Sequence, residues 1–354
     1  MGKEPLSSRG SGRNRAVDLV KTIAICDVVV SHVDVPAFSA GTVGSPAWLC
    51  ALFWASISHV SVSLFLMASG TLLLDPGRPM TLKKLYTKNF PRLLAALLFW
   101  AFCYHLAGLL AAGQLSAARL AQAVRDTLLF RHEEHLYYLH IMLLVYAFLP
   151  VTRLIAQHTD RRQLRYLLGL WFLLGIVYPT VRPFPPFTEL AGIPTQWLMN
   201  MTYASIGYTL LGYDLSAYGK TVRRWVWAAM MAAGFLLAFG GSWAMSAAEG
   251  TLNTHFLEGM SVGICLAAAG IYGLCLSAPV PERAGRGAAL VSRASFCVFL
   301  VHIFFLKLFG RLGLTALAGP AIVSVPLVSL LILLCGVGTW CVLSRIPVVK
   351  NWLV

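Results

Sequence analysis

The sequence predicts an all-α, polytopic membrane protein with about ten transmembrane helices and both termini in the cytoplasm. Of its 354 residues 58% are hydrophobic and only 12% charged, whereas about a quarter of a soluble domain is charged. Apolar runs of the ~20 residues needed to cross a bilayer recur along the chain. The basic residues alternate between its connections: with the N-terminus inside, 21 of the 28 Lys and Arg fall in inside segments and 5 in outside segments, leaving Lys21 and Lys307 within helices. That asymmetry is the positive-inside pattern. It also accounts for the net charge of +14, so no nucleic-acid partner is expected.

The runs fall at about residues 16–35, 48–74, 91–113, 135–156, 163–180, 197–217, 223–246, 256–277, 289–310 and 320–345. Residues 1–15 read as a disordered, basic cytoplasmic tail, 16–345 as one transmembrane domain, and 346–354 as a short cytoplasmic tail. A signal peptide is disfavoured by Asp27, His32 and the lack of a small-residue cleavage site. No internal repeat is visible, and the connections 114–134 and 181–196 are the longest outside the membrane.

The first run carries two ionisable groups that a span does not need. Eleven residues separate Lys21 from His32, about 1,100° of helix and ~16.5 Å of rise, so both return to one face. Such groups usually face a bundle interior or a watery cavity; alternatively Lys21 snorkels to the head groups. The second run ends with the small residues Ser69 and Gly70, which permit close helix packing. His59 in the same run has no evident partner in the sequence and reads as an internally bonded polar group. The start of the third is the most basic connection, from Lys83 and Lys84 to Lys88 and Arg92. Anionic lipid or a phosphorylated donor would both suit it. The fourth opens with His132, Glu133, Glu134, His135, Tyr137, Tyr138 and His140, readable as an aromatic belt, a metal site or a polar catalytic wall. No third metal ligand can be placed, and no metal is expected. The sixth holds Tyr203, Gly207, Tyr208, Gly212 and Tyr213, and the ninth carries His302 at mid-span. Eight cysteines with no Cys-x-x-Cys pair read as small buried hydrophobes. No nucleophile elbow, phosphate loop or zinc-protease motif occurs.

Taken in order, these landmarks resemble the acyltransferase 3 family of membrane O-acyltransferases, nearest to the enterobacterial common antigen and biofilm-polysaccharide O-acetyltransferases. The likeness rests on Lys21 and His32 in the first helix, Phe65 to Gly70, Tyr86 to Arg92, His135 to His140 with Pro150 and Arg153, Gly207 to Tyr213, and Ser295 to His302. Lys21 stands where the family has Arg, Lys88 and Arg92 stand for an Arg-x-x-Arg pair, Tyr137 replaces a Trp and His140 a Tyr. The resemblance implies a bacterial inner-membrane enzyme, surrounded by lipid, that moves an acyl group, usually acetyl, from acetyl-CoA to a hydroxyl of a cell-envelope glycan or lipid-linked saccharide. Lys21, Lys88 and Arg92 would then hold the CoA phosphates. His32 would be the catalytic base, since a sugar hydroxyl needs one at neutral pH. Acceptor-side candidates are Asp34, Glu133, Glu134, His135, Tyr138 and His302, of which Asp34, Glu133, Glu134 or His135 would orient the imidazole. No activated Ser or Cys is apparent, favouring direct transfer over an acyl-enzyme. A secondary transporter with an intramembrane relay of Lys21, Asp27, His32 and His302 is the rival reading, and a sensor or assembly protein that has lost the reaction is a third. The oligomeric state is not legible.

Overall fold

The computed structural model describes residues 14–190, 192 and 196–354; residues 1–13 of the expected tail lie outside them. The long helices are α1 (Arg15–Ala40), α2 (Pro46–Ser58), α3 (Ser61–Leu73), α4 (Phe90–Ala111), α5 (Ala117–Leu128), α6 (Tyr137–His158), α7 (Arg161–Phe172), α8 (Met201–Tyr218), α9 (Arg224–Glu249), α10 (Val262–Ser277), α11 (Glu282–Arg311) and α12 (Ala321–Leu343). Among the described residues, 8 helical runs are long and apolar enough to cross a membrane: 46–73, 82–111, 134–158, 161–181, 224–249, 255–277, 282–318 and 321–343. With α1 and α8 packed among them, they make the ten rods expected from the sequence. The chain is a multi-pass membrane protein.

Several rods depart from straight helices. The second breaks at His59 and Val60 into α2 and α3. No proline or glycine is responsible. Instead Ser56 Oγ donates to the Leu52 carbonyl, and both Ser58 Oγ and His59 Nδ1 donate to that of Ala55; polar side chains that take backbone carbonyls compete with the helical ladder. Two other rods contain π-helical turns, at 85–89 and 173–177, shortly before Pro91 and Pro179. Phe90 and Tyr178 there donate five residues back, to Leu85 and Leu173. A wider turn relieves the clash a proline ring makes with the carbonyl four residues earlier, so the third rod extends back to 82 rather than starting at 91. The connection 114–134 contains the amphipathic helix α5, and the short C-terminal tail contains a helix, Pro347–Trp352.

At the centre lies α1, packed against α2, α3, α10, α11 and α12. Its pairing with α11 is tied by side chains: Thr22 Oγ1 donates to the Ala288 carbonyl at 2.9 Å and Lys21 Nζ to the Ser292 carbonyl at 3.0 Å. The helices α3 and α8 touch backbone to backbone. A Cβ on Gly70 would lie 1.9 Å from the Thr209 carbonyl oxygen, and one on Gly212 would lie 2.1 Å from that of Met67, so at this crossing only glycine fits. Their contact leaves Thr71 Oγ1 within 3.0 Å of the Gly212 carbonyl and hydrogen-bonded to the Tyr272 hydroxyl.

Candidate active site

The Lys21–Ser292 contact sets the register of α1 on α11. Ten residues beyond Ser292 is His302, and eleven beyond Lys21 is His32; both helices rise about 1.5 Å per residue. The two imidazoles accordingly meet, with ring centroids 5.0 Å apart. A third comes from the turn Glu134–Leu136 before α6: the His135 ring lies 6.2 Å from His32 and 5.1 Å from His302. His302 Nδ1–H donates to the Phe299 carbonyl at 2.7 Å, which leaves the lone pair on Nε2. His302 Nε2 and His135 Nε2 are both buried without a hydrogen-bond partner among the described residues. Aromatic rings hold the cluster: Tyr104 lies 5.1 Å from His135, stacks on Phe304 at 4.0 Å, and donates its hydroxyl to the Leu300 carbonyl.

His32 borders a cavity of about 300 Å³ whose wall includes His59, His135, Tyr138, Tyr208, Ile141 and Phe299. The break at His59 is what turns the start of α3, with Ser61 and Ser63, into that wall. His59, without an evident partner in the sequence, is both bonded to its own helix and part of the cavity. The sequence could not announce this role, because it depends on the kink.

At the other end of α1 a cavity of about 220 Å³ is lined by Asn14, Asp18, Lys21, Arg78, Ser292 and Arg293. Asn14 caps α1, its side chain accepting from the amides of Ala16 and Val17. Three cations, one carboxylate and a helix N-terminus meet here, a combination that suits a multiply charged anion. Arg153, a landmark of the family resemblance, is buried; it donates to the Leu73 carbonyl at 2.5 Å and the Arg78 carbonyl at 2.9 Å and so pins the turn that carries Arg78.

The remaining expected site residues are distributed unevenly. Lys21 is held against α11 by its bond to Ser292. Lys88 is exposed on the π turn, and Arg92 donates to the Val354 carbonyl at 2.8 Å. Neither lines the cavity at Lys21, where Arg78 and Arg293 stand instead. Tyr138 and His135 line the His32 cavity, and His302 touches His32. Asp34 is buried with Oδ1 unpartnered among the described residues, but two residues along a helix is a rotation of about 200°, which directs it away from the His32 face. Glu133 pairs with Lys307. Together with Glu134, Tyr104, His105, Arg131 and His132 it lines a separate cavity of about 300 Å³. His132, considered earlier as a metal ligand, pairs with His140 through their Nε2 atoms at 2.8 Å. The ring neighbours of His32 are thus imidazoles, and a carboxylate that the sequence reading did not single out, Glu258, lines the same cavity. Among those residues, no group of three or more His, Cys, Asp and Glu is arranged to hold a metal ion.

Compared with known families, residues 14–345 match the model of the acyltransferase 3 family, described as an acyltransferase domain. No curated protein and no solved structure matches the chain.

Proposed function

Because the chain belongs to the acyltransferase 3 family and is an acyltransferase, we propose that it moves an acetyl group from acetyl-CoA to a hydroxyl of a cell-envelope glycan or lipid-linked saccharide in a bacterial inner membrane. The observation that carries this reading is the pair of cavities along one helix, a cationic one at Lys21 and one bordered by imidazoles at His32. The helix rise puts about 16.5 Å between those residues, a span suited to an extended pantetheine arm whose phosphates stay with Lys21, Arg78 and Arg293. The thioester then lies beside His32. His32 takes the proton of the acceptor hydroxyl as its oxygen bonds to the acyl carbon; the carbon–sulfur bond breaks, and the proton passes to the departing CoA sulfur. His302, whose Nδ1 proton is committed to Phe299, faces His32 and packs it in place. The acceptor approaches from the end bearing Glu133, Glu134 and His135. No residue needs to carry the acyl group, so transfer is direct.

The test is mass spectrometry of envelope glycans from cells with and without the protein, followed by transfer of radiolabelled acetyl from acetyl-CoA by the purified chain. Loss of O-acetyl groups in the deletion and label recovered as glycan ester support the reading. Unchanged glycans together with unconsumed acetyl-CoA refute it.

A further inference from the structure

Two polar atoms on the wall of the His32 cavity are buried without a hydrogen-bond partner among the described residues, Ser63 Oγ and His135 Nε2. A hydroxyl buried within a helix ordinarily donates to a carbonyl three or four residues back. Ser56, Ser58 and Thr71 do so on the same rod, and Ser63, only 1% exposed, does not. Other donors on this wall are already committed: the Ser31 hydroxyl to the Val28 carbonyl at 2.9 Å, the Tyr208 hydroxyl to the Gly259 carbonyl at 2.6 Å, and His59 Nδ1 to the Ala55 carbonyl at 2.7 Å. An unpaired buried group is destabilising, so two of them beside an imidazole mark a place where the fold sacrifices stability for a ligand's polar atom.

We propose that Ser63 is a catalytic residue whose hydroxyl, together with the Nε2–H of His135, binds the thioester carbonyl oxygen and stabilises the charge that develops on it. The inference rests on the acyl-CoA reading above and deepens it. As the acceptor oxygen bonds to the acyl carbon, its proton goes to His32 and the carbonyl π pair moves onto the acyl oxygen. That oxygen is then an anion in a buried site, where positioned donors must take the place of water. When the carbonyl reforms, the carbon–sulfur bond breaks and the sulfur leaves with the proton from His32. Neither donor changes its protonation state over the cycle. The His135 ring lies 6.2 Å from that of His32, so donor and base address the same acyl carbon from two sides. Rotation of the Ser63 hydroxyl between staggered positions is the only movement its part requires.

The experiment compares Ser63→Ala and Ser63→Thr with wild type as purified full chains in detergent. Acetyl-CoA affinity is measured by calorimetry, stability by thermal unfolding, and transfer with radiolabelled acetyl-CoA and the envelope glycan fraction extracted from deletion cells. Ser63→Ala should lower kcat about 10²–10³-fold, the usual loss of one such donor, and leave acetyl-CoA affinity within about twofold of wild type. Its unfolding temperature should equal or exceed that of wild type, because the variant removes an unpaired hydroxyl. Ser63→Thr keeps the hydroxyl and should transfer within about tenfold of the wild-type rate. A Ser63→Ala protein that transfers within about threefold of wild type overturns the inference and leaves the donor reading intact. Stability and donor affinity lost together would show a packing role and overturn it, and so would an acetyl ester found on Ser63, which would make that residue a nucleophile. If neither variant folds, the thioester carbonyl stretch of acetyl-CoA bound to wild type decides: a frequency below that in water is expected, and an unshifted one overturns the inference. Should wild type neither bind nor consume acetyl-CoA, the donor reading falls and this inference with it.

Discussion

Arg153 offers the most informative perturbation outside the reaction cavity. Its guanidinium is buried on α6 and donates to two carbonyls, Leu73 and Arg78, on the turn between α3 and the basic run that begins at 82. A hydrogen bond to a charged group is worth about 1.5–3 kcal/mol net, so Arg153→Met, which removes both, should cost ~3–6 kcal/mol. Leu73 is only partly buried and Arg78 is exposed, so the stripped carbonyls regain water, which favours the lower end of that range. Arg153→Lys keeps the charge but has no fork; it can hold one carbonyl and should cost about half as much. Because the lost contact includes the Arg78 carbonyl, the same variants should loosen the cationic cavity and weaken acetyl-CoA binding about tenfold, the equivalent of ~1.4 kcal/mol. The assays are unfolding of the purified protein in detergent micelles titrated with SDS, and calorimetry with acetyl-CoA. The reasoning is refuted if both variants lie within about 0.5 kcal/mol of wild-type stability and bind donor normally, the behaviour of an ordinary surface substitution.

Three further outcomes are expected. Replacing Lys21, Arg78 or Arg293 singly with Ala should weaken acetyl-CoA binding by about 1.5–3 kcal/mol each, whereas Lys88→Ala should have little effect; calorimetry decides, and the reverse order would return the donor site to the basic connection. Gly70→Ala should destabilise or block assembly of the α3–α8 crossing, because its Cβ would sit 1.9 Å from the Thr209 carbonyl oxygen. Overpacking alone costs about 1–3 kcal/mol, and wild-type expression and thermal stability would contradict the backbone contact. Reporter fusions after residue 180 should read outside and near residue 220 inside, as the distribution of basic residues demands; the opposite pattern would invert the topology.

What was legible in the sequence depended on whether the signal was local. The rods announce themselves through apolar length, and Lys21 and His32 through helical periodicity. The meeting of His32 with His302 follows from the parallel register of two helices far apart in the chain, and no periodicity within either reveals it. For the same reason His135 was grouped with Glu133 and Glu134 as an orienting candidate, although the structure places it against two other imidazoles. Arg78 and Arg293 enter the sequence reading only as topological charge; Arg78 follows the end of α3 and Arg293 lies within α11, and they converge on the N-terminus of α1, a convergence set by tertiary packing. Lys88 and Arg92 carried the strongest basic signal, but the π turn before Pro91 leaves Lys88 exposed and Arg92 on the Val354 carbonyl. The kink at His59 was hidden because its cause is side-chain competition for two carbonyls rather than a breaker residue.

The central claim, that His32 is the base, is tested most directly by His32→Ala in the purified full chain, with acetyl-CoA affinity and acetyl transfer measured on the same preparation. The account predicts donor affinity within about twofold of wild type, since the phosphates bind at Lys21, and transfer reduced by ~10²–10⁴-fold, the usual contribution of a positioned base. A folded His32→Ala protein that binds acetyl-CoA and transfers at near the wild-type rate would contradict it.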